Sequence, residues 1–180
     1  MLLVVDNGSI YTKQLTDFLI QKNISFEKQH PQSLRLDSLS NYDSFILSGR
    51  RKNEKKVNEI NSNIITHCIN NNNKLLGICY GAEILALTLG GTIRKTSSLQ
   101  KGNETIKIFK ENLISSHSLD VFESHGFEIS KLPRALIPLA ESQNCKYEII
   151  QYEKKLIYGT QFHPEMSQDG HNLIEKFCSL

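Results

Sequence analysis

Lys74-Leu75-Leu76-Gly77-Ile78-Cys79-Tyr80-Gly81-Ala82-Glu83-Ile84-Leu85-Ala86-Leu87-Thr88-Leu89-Gly90-Gly91 passes from a short apolar run, through a cysteine between two glycines, into a longer apolar run. Lys74 to Ile78 has the length and bounds of a buried strand, and Ala82 to Leu89 those of an apolar helix. Gly90-Gly91 places glycine where a helix C-terminus favours left-handed backbone. A strand turning abruptly into a helix around one reactive residue is a nucleophile elbow. Small residues on both sides let the chain bend sharply, so the Cys79 thiol is expected at the sheet edge, where the positive helix terminus favours thiolate. An arbitrary free cysteine is more often a buried core residue. The Gly-x-Cys-x-Gly setting reverses that preference.

The same alternation extends outward from the elbow. Leu2 to Val5 reads as a strand ending in Asp6-Asn7-Gly8-Ser9, and Leu15, Phe18, Leu19 and Ile20 follow with helical spacing. Ser25 to Glu27 looks extended, Ser44 to Leu47 is a second buried strand, and Val57, Ile60, Ile64, Ile65 and Cys68 mark a helix. Between Thr92 and Tyr158 only short extended pieces stand out: Thr105 to Phe109, Leu119 to Phe122, Leu136 to Ala140 and Tyr147 to Tyr152. A strand from Leu156 to Thr160 and a helix from Gly170 to Cys178 close the chain. Alternating strands and helices predict an α/β fold, an open mostly parallel sheet with helices on both faces, carrying a small antiparallel subsection. Functional loops then belong at the carboxyl ends of the strands.

A chain of 180 residues suits one domain, expected to span 1–180, and buries roughly two thirds of its unfolded surface. A net charge of +2 is too small to imply a nucleic-acid or membrane surface. The apolar start Met1 to Val5 is too short for a signal peptide and no stretch has the length of a transmembrane span, so a cytoplasmic location is expected. Cys68, Cys79, Cys145 and Cys178 contain no Cys-x-x-Cys pair, which fits reduced thiols better than a disulfide framework or zinc site. No metal and no cofactor is expected.

A nucleophilic cysteine needs a base, and the base needs an orienting acceptor. Gly159-Thr160-Gln161-Phe162-His163-Pro164-Glu165 offers both directly after a strand. His163 can then reach the sheet edge that carries Cys79, while Glu165 accepts from its other ring nitrogen. A lone histidine is more often structural; His-Pro-Glu beyond a strand, in a chain with an elbow cysteine, is far more specific.

With these residues in place, the chain resembles the class I (triad) glutamine amidotransferases over essentially its whole length. The resemblance implies a flavodoxin-like amidotransferase fold and glutamine hydrolysis through a γ-glutamyl thioester, with Cys79, His163 and Glu165 as the triad. It also implies oxyanion donors from Tyr80, the residue after the nucleophile, and from the loop Leu47-Ser48-Gly49-Arg50-Arg51. There the family usually has Leu-Ser-Gly-Gly-Pro, so Gly49 matches and Arg50 replaces a glycine; if the loop needs positive φ, that substitution costs on the order of 1 kcal/mol or more. Glu83 stands where the family usually has a glutamine contacting the amino-acid end of the substrate, and a solvated first-turn acid is an equally weighted reading of it. Ser124-His125-Gly126-Phe127 resembles the segment that contacts the glutamine backbone atoms, with Gly126 and Phe127 as contacts and His125 structural.

Within the family the motifs most resemble the separate glutaminase subunit of archaeal-type GMP synthase. Glutaminase subunits of anthranilate or aminodeoxychorismate synthase come next, and the carbamoyl-phosphate synthetase small subunit third. The sequence has no Gly-x-x-x-x-Gly-Lys-Ser/Thr and no Ser-Gly-Gly-x-Asp-Ser loop, so the ammonia-accepting, ATP-using synthetase subunit is expected to be a separate chain. The basic run Arg50, Arg51, Lys52, Lys55 and Lys56 reads as a solvated loop in preference to a partner contact. A stand-alone γ-glutamyl hydrolase or peptidase, and a non-catalytic regulatory module of the same fold, remain as alternatives.

Overall fold

The computed structural model describes residues 1–115 and 118–180. Among the described residues nine strands form one sheet in the order β2-β1-β3-β4-β9-β8-β7-β5-β6. The parallel half comprises β1 (Leu2–Val5), β2 (Phe26–Gln29), β3 (Ser44–Leu47), β4 (Lys74–Ile78) and β9 (Ile157–Thr160). An antiparallel half continues through β8 (Ile149–Tyr152), β7 (Leu136–Glu141), β5 (Thr92–Ile108) and β6 (Leu119–Lys131). Helices α1 (Thr12–Gln21), α2 (Lys55–Asn71), α3 (Tyr80–Thr88) and α4 (Gln168–Ser179) cover the faces.

Side chains alternate across a strand, and that alternation builds two cores. Leu2, Val4, Ile46, Leu76, Ile78 and Tyr158 pack with Leu15, Phe18 and Leu19 of α1 and Leu173, Ile174 and Phe177 of α4. Leu3, Val5, Phe45, Leu47, Leu75 and Ile157 pack on the other face with Ile64, Ile65 and Cys68 of α2 and Ala82, Leu85 and Ala86 of α3. Helices therefore lie on both faces, as expected. α3 does end at a glycine in left-handed backbone: Gly90 has φ +90, and Gly91 N donates to Ala86 O at 2.8 Å.

The antiparallel half is larger than the sequence suggests. β5 and β6 run to 17 and 13 residues where only Thr105 to Phe109 and Leu119 to Phe122 looked extended. Every residue from Thr92 to Glu104 is exposed or half-buried. Its strand conformation comes from pairing with β6, which leaves no apolar period to read. Leu2–Val5, Ser44–Leu47 and Lys74–Ile78 keep their expected bounds, and the other boundaries move by at most three residues, α3 beginning at Tyr80 rather than Ala82.

Candidate active site

β4 and β9 are neighbours, with Ile78 paired to Thr160 at their carboxyl ends. The ladder continues one step further, Cys79 N donating to Thr160 O at 2.7 Å, so the residues after each strand emerge at one edge. There Cys79 takes φ 51, ψ −103 and becomes the N-cap of α3, a left-handed conformation that a non-glycine residue holds only when its surroundings impose it. The flanking glycines are dictated by contact. A Cβ on Gly77 would lie 2.5 Å from the carbonyl carbon of Gly81, and one on Gly81 would lie 2.4 Å from Leu47 O. The elbow expected from the sequence is present.

His163 leaves β9 with its backbone N donating to Phe122 O at 2.8 Å. Its Nδ1 lies 2.9 Å from Glu165 Oε1, both side chains being buried. A carboxylate can only accept, so Nδ1 is the donor to Glu165, and in the neutral imidazole Nε2 then keeps the lone pair of a general base. The ring of Tyr11 packs edge-on against the imidazole, 4.6 Å between centroids. On its other side a Cβ at Gly49 would meet His163 Cε1 at 3.0 Å, so the loop after β3 closes on the imidazole because residue 49 has no side chain.

Cys79, Tyr80, Glu83, Arg50, Arg51, Asn53 and the 124–127 segment line one cleft of about 190 Å³. Hence the structure brings Arg50, Tyr80, Glu83, Gly126 and Phe127 to the nucleophile, with Gly49 against His163. A larger hollow of about 550 Å³ lies across the loop after β3, between Asp6, His30, Glu54 and Val57, and shares only Arg51 with the cleft. Volume points away from the site, since a hollow of about 610 Å³ between Asn103, Asp120 and Gln168 is larger still; the nucleophile Cys79 lines the smaller cleft.

Three expectations change. Burial pushes the Cys79 thiol well above its ordinary range, Glu83 and Glu165 adding to the effect, so the helix terminus does not leave a resting thiolate. Glu83 is 5% exposed and not a solvated acid: burial raises its carboxyl pKa, and its carboxylate accepts from Gln161 Nε2 at 3.5 Å. Arg50 is not among the positive-φ residues, so the backbone cost considered for it does not arise. Its backbone instead bridges to Gly8, its guanidinium lies 4.0 Å above the Tyr80 ring, and Nη1 donates to Asn53 and Asn58 Oδ1, both at 2.8 Å. Tyr80 OH donates to the same Asn58 oxygen at 2.8 Å, so Arg50 clamps the loop to α2 and α3.

His125 is buried and structural in its contacts. Burial alone would lower its pKa, but Glu123, at 3.1 Å from Nε2 though not aligned as a hydrogen bond, reverses the direction. Tyr11, Asn58, Glu123 and Gln161 belong to this neighbourhood and carry no motif that marks them. Only Gln161 sits inside a stretch already singled out.

Elbow cysteine, His–Glu pair and flavodoxin-like sheet together define a class of protein, and residues 3–179 match the family Glutamine amidotransferase class-I. The chain belongs to that family. It is 29% identical to a subunit of the GMP synthase (glutamine-hydrolyzing) of Methanocaldococcus jannaschii, over the whole of this chain (100%) and 97% of that one. It is 28% identical over 98% of its length to the GMP synthase (glutamine-hydrolyzing) of Macrococcus caseolyticus, of which it spans 35%. Among solved structures it resembles a putative GMP synthase subunit protein of Thermoplasma acidophilum, with TM-score 0.87 and 26% identity, covering 99% of this chain and 92% of that one.

Proposed function

We propose that this chain is a glutaminase subunit that hydrolyses glutamine to glutamate and ammonia and passes the ammonia to a separate synthetase subunit, that of GMP synthase, which converts XMP to GMP. The observation that carries this is the left-handed Cys79 at the end of β4, with the His163–Glu165 pair at the end of the adjacent β9. Cys79 Sγ attacks the carboxamide carbon while His163 Nε2 takes the thiol proton. Burial favours the thiol over the thiolate, so in the attack the thiol proton passes to His163. The oxyanion is held by the backbone N–H groups of Tyr80 and Arg50. Collapse breaks the C–N bond, His163 returns the proton to the leaving nitrogen, and ammonia departs from a γ-glutamyl thioester. Water, deprotonated by His163, attacks the thioester; the C–S bond breaks, and the sulfur recovers its proton from the imidazolium. Glu165 orients the imidazole throughout.

The full-length similarity to the Methanocaldococcus GMP synthase subunit supports the choice of acceptor. Steady-state release of glutamate and ammonia from glutamine, and glutamine-dependent amination of XMP with the synthetase subunit, test the two halves separately. Buried Glu83 favours a second reading, a γ-glutamyl hydrolase acting alone, since it changes the charge of the cleft. Faster turnover of a γ-glutamyl anilide than of glutamine would select it.

A further inference from the structure

β5 and β6 pair as Lys95 with Phe127 and again as Gln100 with His125. Residues 96–99 of β5 therefore bulge opposite the single residue Gly126. Bulges concentrate beside active sites, where they re-aim a side chain. Here the re-aimed residue is Leu99, which is 66% exposed, with Cδ1 4.0 Å from where a Cβ on Gly126 would stand. Next to it Phe127 is 47% exposed, and both Gly126 and Phe127 line the Cys79 cleft. The result is an apolar lip on the mouth of the cleft.

Cations surround this lip. Lys95 stands opposite Phe127 and Lys101 opposite Ser124, while Arg51 lines the cleft. Among the described residues none of these three forms an ion pair. A like-charged rim repels a second copy of the same surface and favours an acidic one. Ammonia formed at Cys79 and released through this mouth is lost to solvent unless the subunit that consumes it covers the lip.

We propose that Leu99 and Phe127, within the rim of Lys95, Lys101 and Arg51, form the docking surface for the ammonia-accepting synthetase subunit, whose matching face is an apolar pocket bordered by acidic side chains. This rests on the glutaminase reading given above. Apolar anchors at the centre of an interface carry most of its affinity, and the charged rim sets orientation and association rate.

The test uses Leu99→Glu and the double variant Lys95→Glu/Lys101→Glu, none of these residues belonging to the catalytic or substrate-binding set. Four quantities are measured on each full chain: glutamine hydrolysis alone, the Kd for the XMP-aminating synthetase subunit, glutamine-dependent amination, and amination driven by ammonium chloride. Both variants are expected to hydrolyse glutamine alone within about twofold of wild type. Leu99→Glu should weaken association by about tenfold or more and lower glutamine-dependent amination accordingly, leaving ammonium-driven amination unchanged. The double variant should weaken association and flatten its salt dependence. If Leu99→Glu associates and transfers like a wild type that does hydrolyse glutamine, the docking surface is wrong and the glutaminase reading stands. If sedimentation shows a wild-type dimer that Leu99→Glu dissociates, the occupant is a second copy and the proposal is overturned. A wild-type chain that neither hydrolyses glutamine nor binds the synthetase removes both readings together.

Discussion

At Cys79 two opposing influences meet, the N-terminus of α3 and burial beside carboxylates, and burial prevails: the residue is 8% exposed and its thiol is pushed well above its ordinary 9.0, with Glu83 the largest charged contributor. Alkylation of the free chain by iodoacetamide should therefore be slow at neutral pH and rise about tenfold per pH unit toward and beyond 9, because thiolate is the reactive form. Glu83→Gln removes a negative neighbour, and alkylation at a fixed pH should become faster; an unchanged or slower rate would remove Glu83 from the account. Cys79→Ala should abolish glutamine hydrolysis without unfolding the chain, and His163→Ala should be nearly as damaging, while Glu165→Gln keeps a measurable remainder. Arg50 is the residue where the structure reverses expectation. Because it clamps the loop through Tyr80, Asn53 and Asn58, Arg50→Gly should lower kcat by about tenfold and not raise it, on the scale of a weakened oxyanion donor. A faster Arg50→Gly enzyme would show that the clamp hinders.

The decisive element is the turn from β4 into α3. Its glycines face backbone atoms, which cannot rotate away as a side chain can: Leu47 O lies 2.4 Å from a Cβ built on Gly81. Gly81→Ala should therefore either displace α3 from β3 or distort the elbow, costing about 1–3 kcal/mol or more. A urea midpoint and a glutaminase rate both unchanged from wild type would mean that the elbow tolerates a side chain there. The other end of the site is fastened by α4, whose N-cap Ser167 accepts from Gly170 N at 3.1 Å, two residues past Glu165.

Over the whole molecule, a sheet with two apolar cores also encloses carboxyl groups. Glu148 is 1% exposed, and burial, reinforced by Glu123, holds its carboxyl pKa well above the ordinary 4.5. Above pH 4.5 the folded chain thus retains a proton at Glu148 that the unfolded chain has released. The folded state binds more protons in that window, so this group's contribution to stability falls as pH rises from 4.5 to the raised pKa, then levels off. Glu148→Gln should remove the fall. Its stability relative to wild type, measured by urea unfolding, should be near neutral at pH 4.5 and increase toward pH 8; a difference independent of pH would contradict the linkage.

The parallel half of the sheet, the elbow and the pairing of His163 with Glu165 are legible in the sequence alone. Those features are written in local chemistry: apolar runs of strand length, glycines around one cysteine, and a histidine and acid two residues apart beyond a strand. The long β5–β6 arm was not legible, since its strands are held by each other and carry polar side chains on most positions. Nor was the state of the site residues. Whether Glu83 meets water or is buried, whether Arg50 strains its loop or clamps it, and whether the thiol of Cys79 is lowered by a helix or raised by its neighbours depend on β6, the loop after β1 and the loop after β3 meeting over α3. These are settled by the folded arrangement, because burial and charge proximity are sums over segments far apart in the chain, whereas a turn or a strand is set by its own residues.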